Sequence, residues 1–237
     1  MHKILILGRS GTGKSSALRN LNPKETAIIN PDKKALPLQN WRQDYVNVKL
    51  DTGKTDLDKS NYFELSKPNH ILAVLKHLKN RRDIKVVVLD TITHLITSTY
   101  MRETIGKDFK AYQALGLSIF EILDYIRDYP KTVIITAHID EAFNDMGQRQ
   151  TDVKSYGKMI KDMEIPSFFT TVLITDILVK DGDREYTFRT QSLGNDPVKS
   201  PVIFKKDGAI ENALPFNITN DIKQVIDLLD KFEGITK

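Results

Sequence analysis

Residues 8–15 read Gly8-Arg9-Ser10-Gly11-Thr12-Gly13-Lys14-Ser15, and few stretches of eight residues limit a fold so tightly. The five residues before them, Lys3-Ile4-Leu5-Ile6-Leu7, are an apolar run of the kind that forms a strand buried on both faces. Ser16-Ala17-Leu18-Arg19-Asn20 can continue as a helix. Strand, glycine loop and helix are the setting in which G-x-x-x-x-G-K-S becomes a phosphate-binding loop, Walker A. The glycines let backbone N–H groups from Gly8 to Ser16 approach phosphate oxygens, and the helix N-terminus adds partial positive charge there. Lys14 can reach the β- and γ-phosphates, and the Ser15 hydroxyl can bind Mg²⁺.

The remaining chain reads as one α/β domain over residues 1–237, with a core over 1–190 and a C-terminal extension over 191–237. Thr26-Ala27-Ile28-Ile29-Asn30 predicts a second strand, closed by Pro31-Asp32-Lys33-Lys34. Residues 41–67 are mixed and polar, with a turn at Asp51-Thr52-Gly53-Lys54 and a short edge strand at Val46-Asn47-Val48. Ile71, Leu72, Leu75 and Leu78 share one helical face, and Pro68 suits that helix's start. Ile84 to Asp90 is a β-branched strand ending in an acid. A helix is expected over 91–104, a break at Gly106-Lys107-Asp108, and a long amphipathic helix up to Pro130. Thr132-Val133-Ile134-Ile135-Thr136 predicts another buried strand, with His138 at its C-terminal end. Residues 140–157 are polar and read as a mobile loop. Lys158 to Ile165 predicts a helix stopped by Pro166. Phe169 to Val179 and Tyr186 to Thr190 predict a hairpin about Asp181-Gly182-Asp183, and Ile222 to Phe232 a closing helix.

With 40% hydrophobic residues among 237, the chain has material for a sizeable core, yet no apolar run reaches membrane-spanning length. Met1 leads straight into the first strand, so no signal peptide is expected. There is no cysteine, hence no disulfide framework and no thiolate metal site. These features point to the cytoplasm and away from a membrane. The net charge of +4 is compatible with nucleic acid without requiring it.

Asp90 fits the Walker B position, where a carboxylate at the end of a central strand can hold Mg²⁺ opposite Ser15; the same Asp could simply cap the next helix. Asp32 and His138 also fall at strand ends, where open α/β sheets bind ligands. Asp32 could equally terminate its strand as a turn residue, and His138 could be a structural histidine. Asp140-Glu141 suits either an acidic pair near phosphate or a solvated loop. Lys33-Lys34 reads as a solvated turn. His94, with no ligand spacing to another histidine, reads as an ordinary residue.

Taken in order, Walker A, Asp32, Asp90 and His138, followed by a polar loop and a hairpin, resemble the RecA-like branch of P-loop ATPases. The likeness extends to phage-encoded, core-only members associated with single-strand annealing, including the stretch Asp196-Pro197-Val198-Lys199-Ser200-Pro201. The resemblance implies a mostly parallel central sheet flanked by helices, with a C-terminal β-hairpin extension. It also implies ATP and Mg²⁺ as cofactors. By position Asp32 matches the catalytic acid, more often Glu in that family, and His138 matches the γ-phosphate sensor. Lys199 matches a basic residue that reaches the ATP of a neighbouring subunit, which implies a homo-oligomer. The loop over 141–157 matches a DNA-binding loop. Its Arg149 and Lys154, with Lys158 beside it, suit single-stranded DNA as they would suit a merely solvated loop. A single-strand-binding protein or other replication and recombination proteins are then expected partners. The alternative is a P-loop protein without DNA binding, either a nucleotide-controlled assembly factor or a small-molecule kinase. The sequence shows no compact lid with paired arginines of the kind a kinase needs.

Overall fold

The computed structural model describes residues 1–104, 109–143, 147 and 149–235, so the expected break at Gly106-Lys107-Asp108 falls outside the described residues. In chain order, β1 (Lys3–Gly8) leads into the phosphate loop, and the loop into a 3₁₀ turn, Ser16–Asn20. There follow β2 (Thr26–Ile29), α1 (Trp41–Asp44), β3 (Tyr62–Phe63), α2 (Pro68–Asn80), β4 (Val86–Leu89), α3 (Ile92–Glu103) and α4 (Phe109–Arg127). Next come β5 (Thr132–Phe143), β6 (Arg149–Val153), α5 (Lys158–Lys161) and a second 3₁₀ turn, Ile165–Phe168. The chain closes with β7 (Thr171–Lys180), β8 (Asp183–Arg189), β9 (Val202–Phe204), β10 (Ile210–Asn212), β11 (Asn217–Thr219) and α6 (Ile222–Phe232).

One sheet runs β11-β8-β7-β1-β5-β4-β2-β3, with β6 attached to β5. The strands from β7 to β3 are parallel, and β8 and β11 join antiparallel at one edge. This is the mostly parallel, helix-flanked sheet that the resemblance implies. Alternation along β1 decides which residues face which layer. Leu5 and Leu7 pack with α2, α3 and α4 residues such as Leu75, Leu95 and Ile119. Ile4 and Ile6 pack on the opposite face with Leu18, Val225 and Leu229. Each such buried side chain is worth about 1.5–3 kcal/mol, and β1 is buried on both faces throughout.

Pro68 is the first residue of α2, where its missing N–H is no loss. The Thr91 hydroxyl caps α3 by accepting from the His94 backbone N–H. Asp181 and Gly182 both have positive φ, as a two-residue hairpin turn matched to strand twist requires.

Four expectations are corrected. Ser16–Asn20 is a single 3₁₀ turn rather than an α-helix, ended by the extended backbone of Leu21. Val46-Asn47-Val48 forms no strand; the edge strand is Tyr62–Phe63, whose side chains are both buried, whereas Val46 is exposed. Pro166 lies at the start of a 3₁₀ turn instead of stopping a helix, because α5 already ends at Lys161 and Glu164, in left-handed geometry, caps the turn that follows. Residues 140–157 are not simply a loop. Through Phe143, β5 continues beyond the sheet and pairs antiparallel with β6, Ile139 opposite Val153 and Phe143 opposite Arg149. Most of this arm is solvated, so hydrophobic patterning carries little trace of it.

The close approach of β1 and β7 leaves no room at Gly8. A Cβ there would overlap the Thr175 hydroxyl. Gly8→Ala is therefore expected to lower stability by about 1–3 kcal/mol, read from the denaturant midpoint. Adding Thr175→Ala should recover part of that loss, since the Thr12 hydroxyl would still stand 2.7 Å from the same Cβ. A Gly8→Ala chain as stable as wild type would show that the approach is not tight.

Candidate nucleotide site

Parallel pairing brings the strand ends into one row. Gly8 lies opposite His138 in the β1–β5 register. Leu89 lies opposite both Ile135 and Ile29, so Asp90 emerges beside Thr136 and Asn30. The Thr136 hydroxyl donates to the buried Asp90 carboxylate. Asn30, also buried, folds the next loop over itself. Its Nδ2 donates to the Tyr62 hydroxyl at 2.7 Å and to the Lys34 carbonyl at 2.8 Å, and its Oδ1 accepts from Lys33 N–H at 2.9 Å. That loop carries Asp32.

Within the phosphate loop, Gly11 and Gly13 adopt φ of 78° and 97°, left-handed values that glycine takes without strain. The Thr12 hydroxyl donates to the Arg9 carbonyl at 2.8 Å and meets Thr175. Lys14 is buried and folds back on the loop, its ammonium donating to the carbonyls of Gly8 at 2.9 Å and Arg9 at 2.7 Å. Burial pushes its pKa down to about 8, opposed by the nearby Asp90 charge. His138 Nδ1 lies 3.4 Å from that ammonium, and its backbone N–H donates to Thr93 Oγ1 at 2.9 Å. Burial, then the charges of Lys14 and Lys154, hold the His138 pKa below its ordinary value, so its ring is neutral at pH 7.

A cleft of about 730 Å³ follows the loop, lined by Ser10, Gly11, Gly13, Lys14, Ser15 and Ser16 and by Asp32 and His138. Ligand pockets of several hundred Å³ accommodate molecules of nucleotide size. Ser15, Asp32 and Asp90 also share an adjoining cavity of about 120 Å³. Hydroxyl and carboxylate oxygens are the hard donors that Mg²⁺ prefers, so these residues fit that ion. Among the described residues no group of three or more His, Asp or Glu could cage a metal alone. An ion here would share phosphate oxygens and water, as Mg²⁺ commonly does.

The structure thus joins Lys14, Ser15, Asp32, Asp90 and His138 at one place and leaves Lys199 elsewhere. Lys199 pairs by backbone with Val172 and lines a separate cavity with Glu164 and Asp196. Lys154 and Lys158 are exposed, while the side chain of Arg149 lies outside the described residues. Arg9 points away from the cleft and pairs with Glu141 on the arm, so Glu141 is not simply part of a solvated loop. Two side chains gain a place that spacing did not disclose. His94 Nδ1 lies 3.1 Å from Asp32 Oδ1, and Lys34 Nζ lies 2.9 Å from Asp32 Oδ2. Tyr186 and Asn220 also line the cleft; no motif marks them, because the hairpin and the last strand reach the loop only through the sheet edge.

Among proteins of known family, the AAA domain matches residues 1–199 of this sequence. The chain belongs to the AAA domain family. Membership carries nucleotide binding and ATP hydrolysis. No curated protein sequence matches. Among solved structures, the flagellar accessory protein FlaH from Methanocaldococcus jannaschii is similar, at 15% identity and a TM-score of 0.41, over 89% of each chain. Among the described residues no helix is long and apolar enough to cross a membrane.

Phosphate selects the ammonium form of Lys14. Nucleotide affinity is expected to be flat below about pH 8 and to fall above it, approaching tenfold per pH unit, because the free amine must first take up a proton. Titrating ATP binding from pH 7 to 9.5 tests this. Lys14→Ala should bind weakly and lose the slope, whereas a flat wild-type profile would contradict the role of Lys14.

Proposed function

We propose that the protein is a Mg²⁺-dependent ATPase whose nucleotide state governs the β5–β6 arm as a binding surface for single-stranded DNA in recombination, annealing or replication. The observation that carries this reading is the double use of β5. Its first part pairs with β1 and β4 in the sheet, and its second part forms the arm. His138 is the junction. Its carbonyl accepts from the Lys154 backbone N–H at 2.8 Å, so both strands of the arm hold the residue beside Lys14. A γ-phosphate that reorients His138 acts directly on the root of the arm.

In this scheme Lys14 compensates the phosphate charge, and Ser15 and Asp90 hold the ion. Mg²⁺, when bound, neutralises charge that develops on the phosphoryl oxygens. Asp32 orients the attacking water, and its contacts with His94 and Lys34 aim the carboxylate. Lys199 lines a cavity separate from the cleft, which supports a role toward the phosphate of another copy in a homo-oligomer.

Mobility shift of single-stranded oligonucleotides with and without ATP tests the DNA role. Binding should depend on ATP. Lys154→Ala with Lys158→Ala should flatten the log–log salt dependence by about 1.4, that is about 0.7 for each phosphate no longer neutralised by a lysine. No shift under any nucleotide condition would favour the alternative, a P-loop protein that binds no DNA.

Mixed assemblies test Asp32 and Lys199 together. Asp32→Asn and Lys199→Ala should each lower kcat by about tenfold or more while keeping nucleotide affinity. Their mixture should regain turnover. Wild-type kcat in Asp32→Asn would make Asp32 a turn residue, and mixed oligomers without recovery would remove the action of Lys199 between subunits.

A further inference from the structure

The nucleotide cleft crosses β1. Lys14, Asp32, Asp90 and His138 come from β1 or from the strands on its β5 side, β5, β4 and β2. The opposite wall comes from the other side of β1, where β8 contributes Tyr186 and the end of β11 leads into Asn220. A triphosphate whose terminal phosphate meets His138 and Asp32 has its nucleoside directed toward that second wall.

Two features mark this wall as more than filler. Asn220 is 2% exposed, yet its Nδ2 has no hydrogen-bond partner among the described residues. A buried amide left unpaired is costly, and such groups call for an explanation. Its backbone is fixed twice, the N–H donating to the Tyr186 carbonyl at 3.0 Å and the carbonyl accepting from the Arg19 guanidinium. The Tyr186 side chain lies alongside, its residue 39% exposed and its ring edge against the phosphate loop. A Cβ built on Gly13 would stand 3.2 Å from Tyr186 Cδ1 and 3.1 Å from Asn220 Oδ1. The aromatic ring and the amide therefore begin where the loop ends, at the place a nucleoside leaves the phosphates.

We propose that Tyr186 and Asn220 form the nucleoside subsite of the cleft, with the Tyr186 ring stacking on the base and the Asn220 amide hydrogen-bonding to the nucleoside. The proposal rests on nucleotide binding at the phosphate loop and adds residues that no phosphate contact requires. A half-turn of the amide about χ2 exchanges its oxygen and NH₂ ends, so the donor that lacks a partner can face the cleft.

Calorimetric titration of ATP and of inorganic tripolyphosphate separates the two parts of the site. Tyr186→Ala should weaken ATP binding by about 5- to 150-fold, the range for losing one base–aromatic stack. Tyr186→Phe should stay within about twofold, since the ring remains. Asn220→Ala should weaken ATP binding by about 2- to 10-fold. Tripolyphosphate affinity should be unchanged in all three variants, which also certifies that the loop is intact. Unchanged ATP affinity in Tyr186→Ala, or equal losses for ATP and tripolyphosphate, would overturn the subsite. A wild-type chain that binds neither compound would instead bring down phosphate-loop binding itself, and the subsite with it.

Discussion

The alignment of strand ends along the β1–β5–β4–β2 ladder is the constraint on which the site depends. Backbone hydrogen bonds fix the register, and a parallel sheet buried on both faces cannot slip by one residue without turning its apolar side chains outward. With Gly8 opposite His138 and Leu89 opposite Ile135, the loop, the histidine and the Asp90 carboxylate are placed by backbone geometry. Their side chains add fine adjustment, as when the Thr136 hydroxyl anchors Asp90.

Electrostatics then follow from burial. An ammonium withdrawn from water needs hydrogen-bonding partners, and Lys14 finds them in two carbonyls of its own loop. Those carbonyls hold the amine at the cleft wall. The same positive charge helps keep His138 neutral, so its ring can donate or accept according to tautomer.

The arm converts a local site into an extended one. A strand of twelve residues, Thr132–Phe143, outlasts its neighbours in the sheet and must satisfy its remaining backbone groups elsewhere, which β6 does. The Arg9–Glu141 pair adds a second tie between the phosphate loop and the arm. At the other edge, β8 and β11 continue the sheet past β7 and bring Tyr186 and Asn220 to the loop. The loop is thereby held between the arm on the β5 side of β1 and the hairpin on its β7 side.

By itself the sequence determined the features with local physical causes. The phosphate loop, the central strands, the helix starts at Pro68 and Thr91 and the hairpin at Asp181-Gly182 all follow from side chains within a few residues of the place they act. Strand-end acids were legible as candidates for the same reason, and Asp32 and Asp90 do meet in the small cavity adjoining the cleft. Tertiary structure alone decided the rest. The described side chains of the arm, 140–143 and 150–153, include few buried ones to imprint a period. His94 reaches Asp32 only because β2 and β4 are neighbours, and Tyr186 meets Asn220 only because β11 pairs with β8. Such meetings depend on strand order, and strand order is fixed by packing across the whole sheet, which no local pattern encodes.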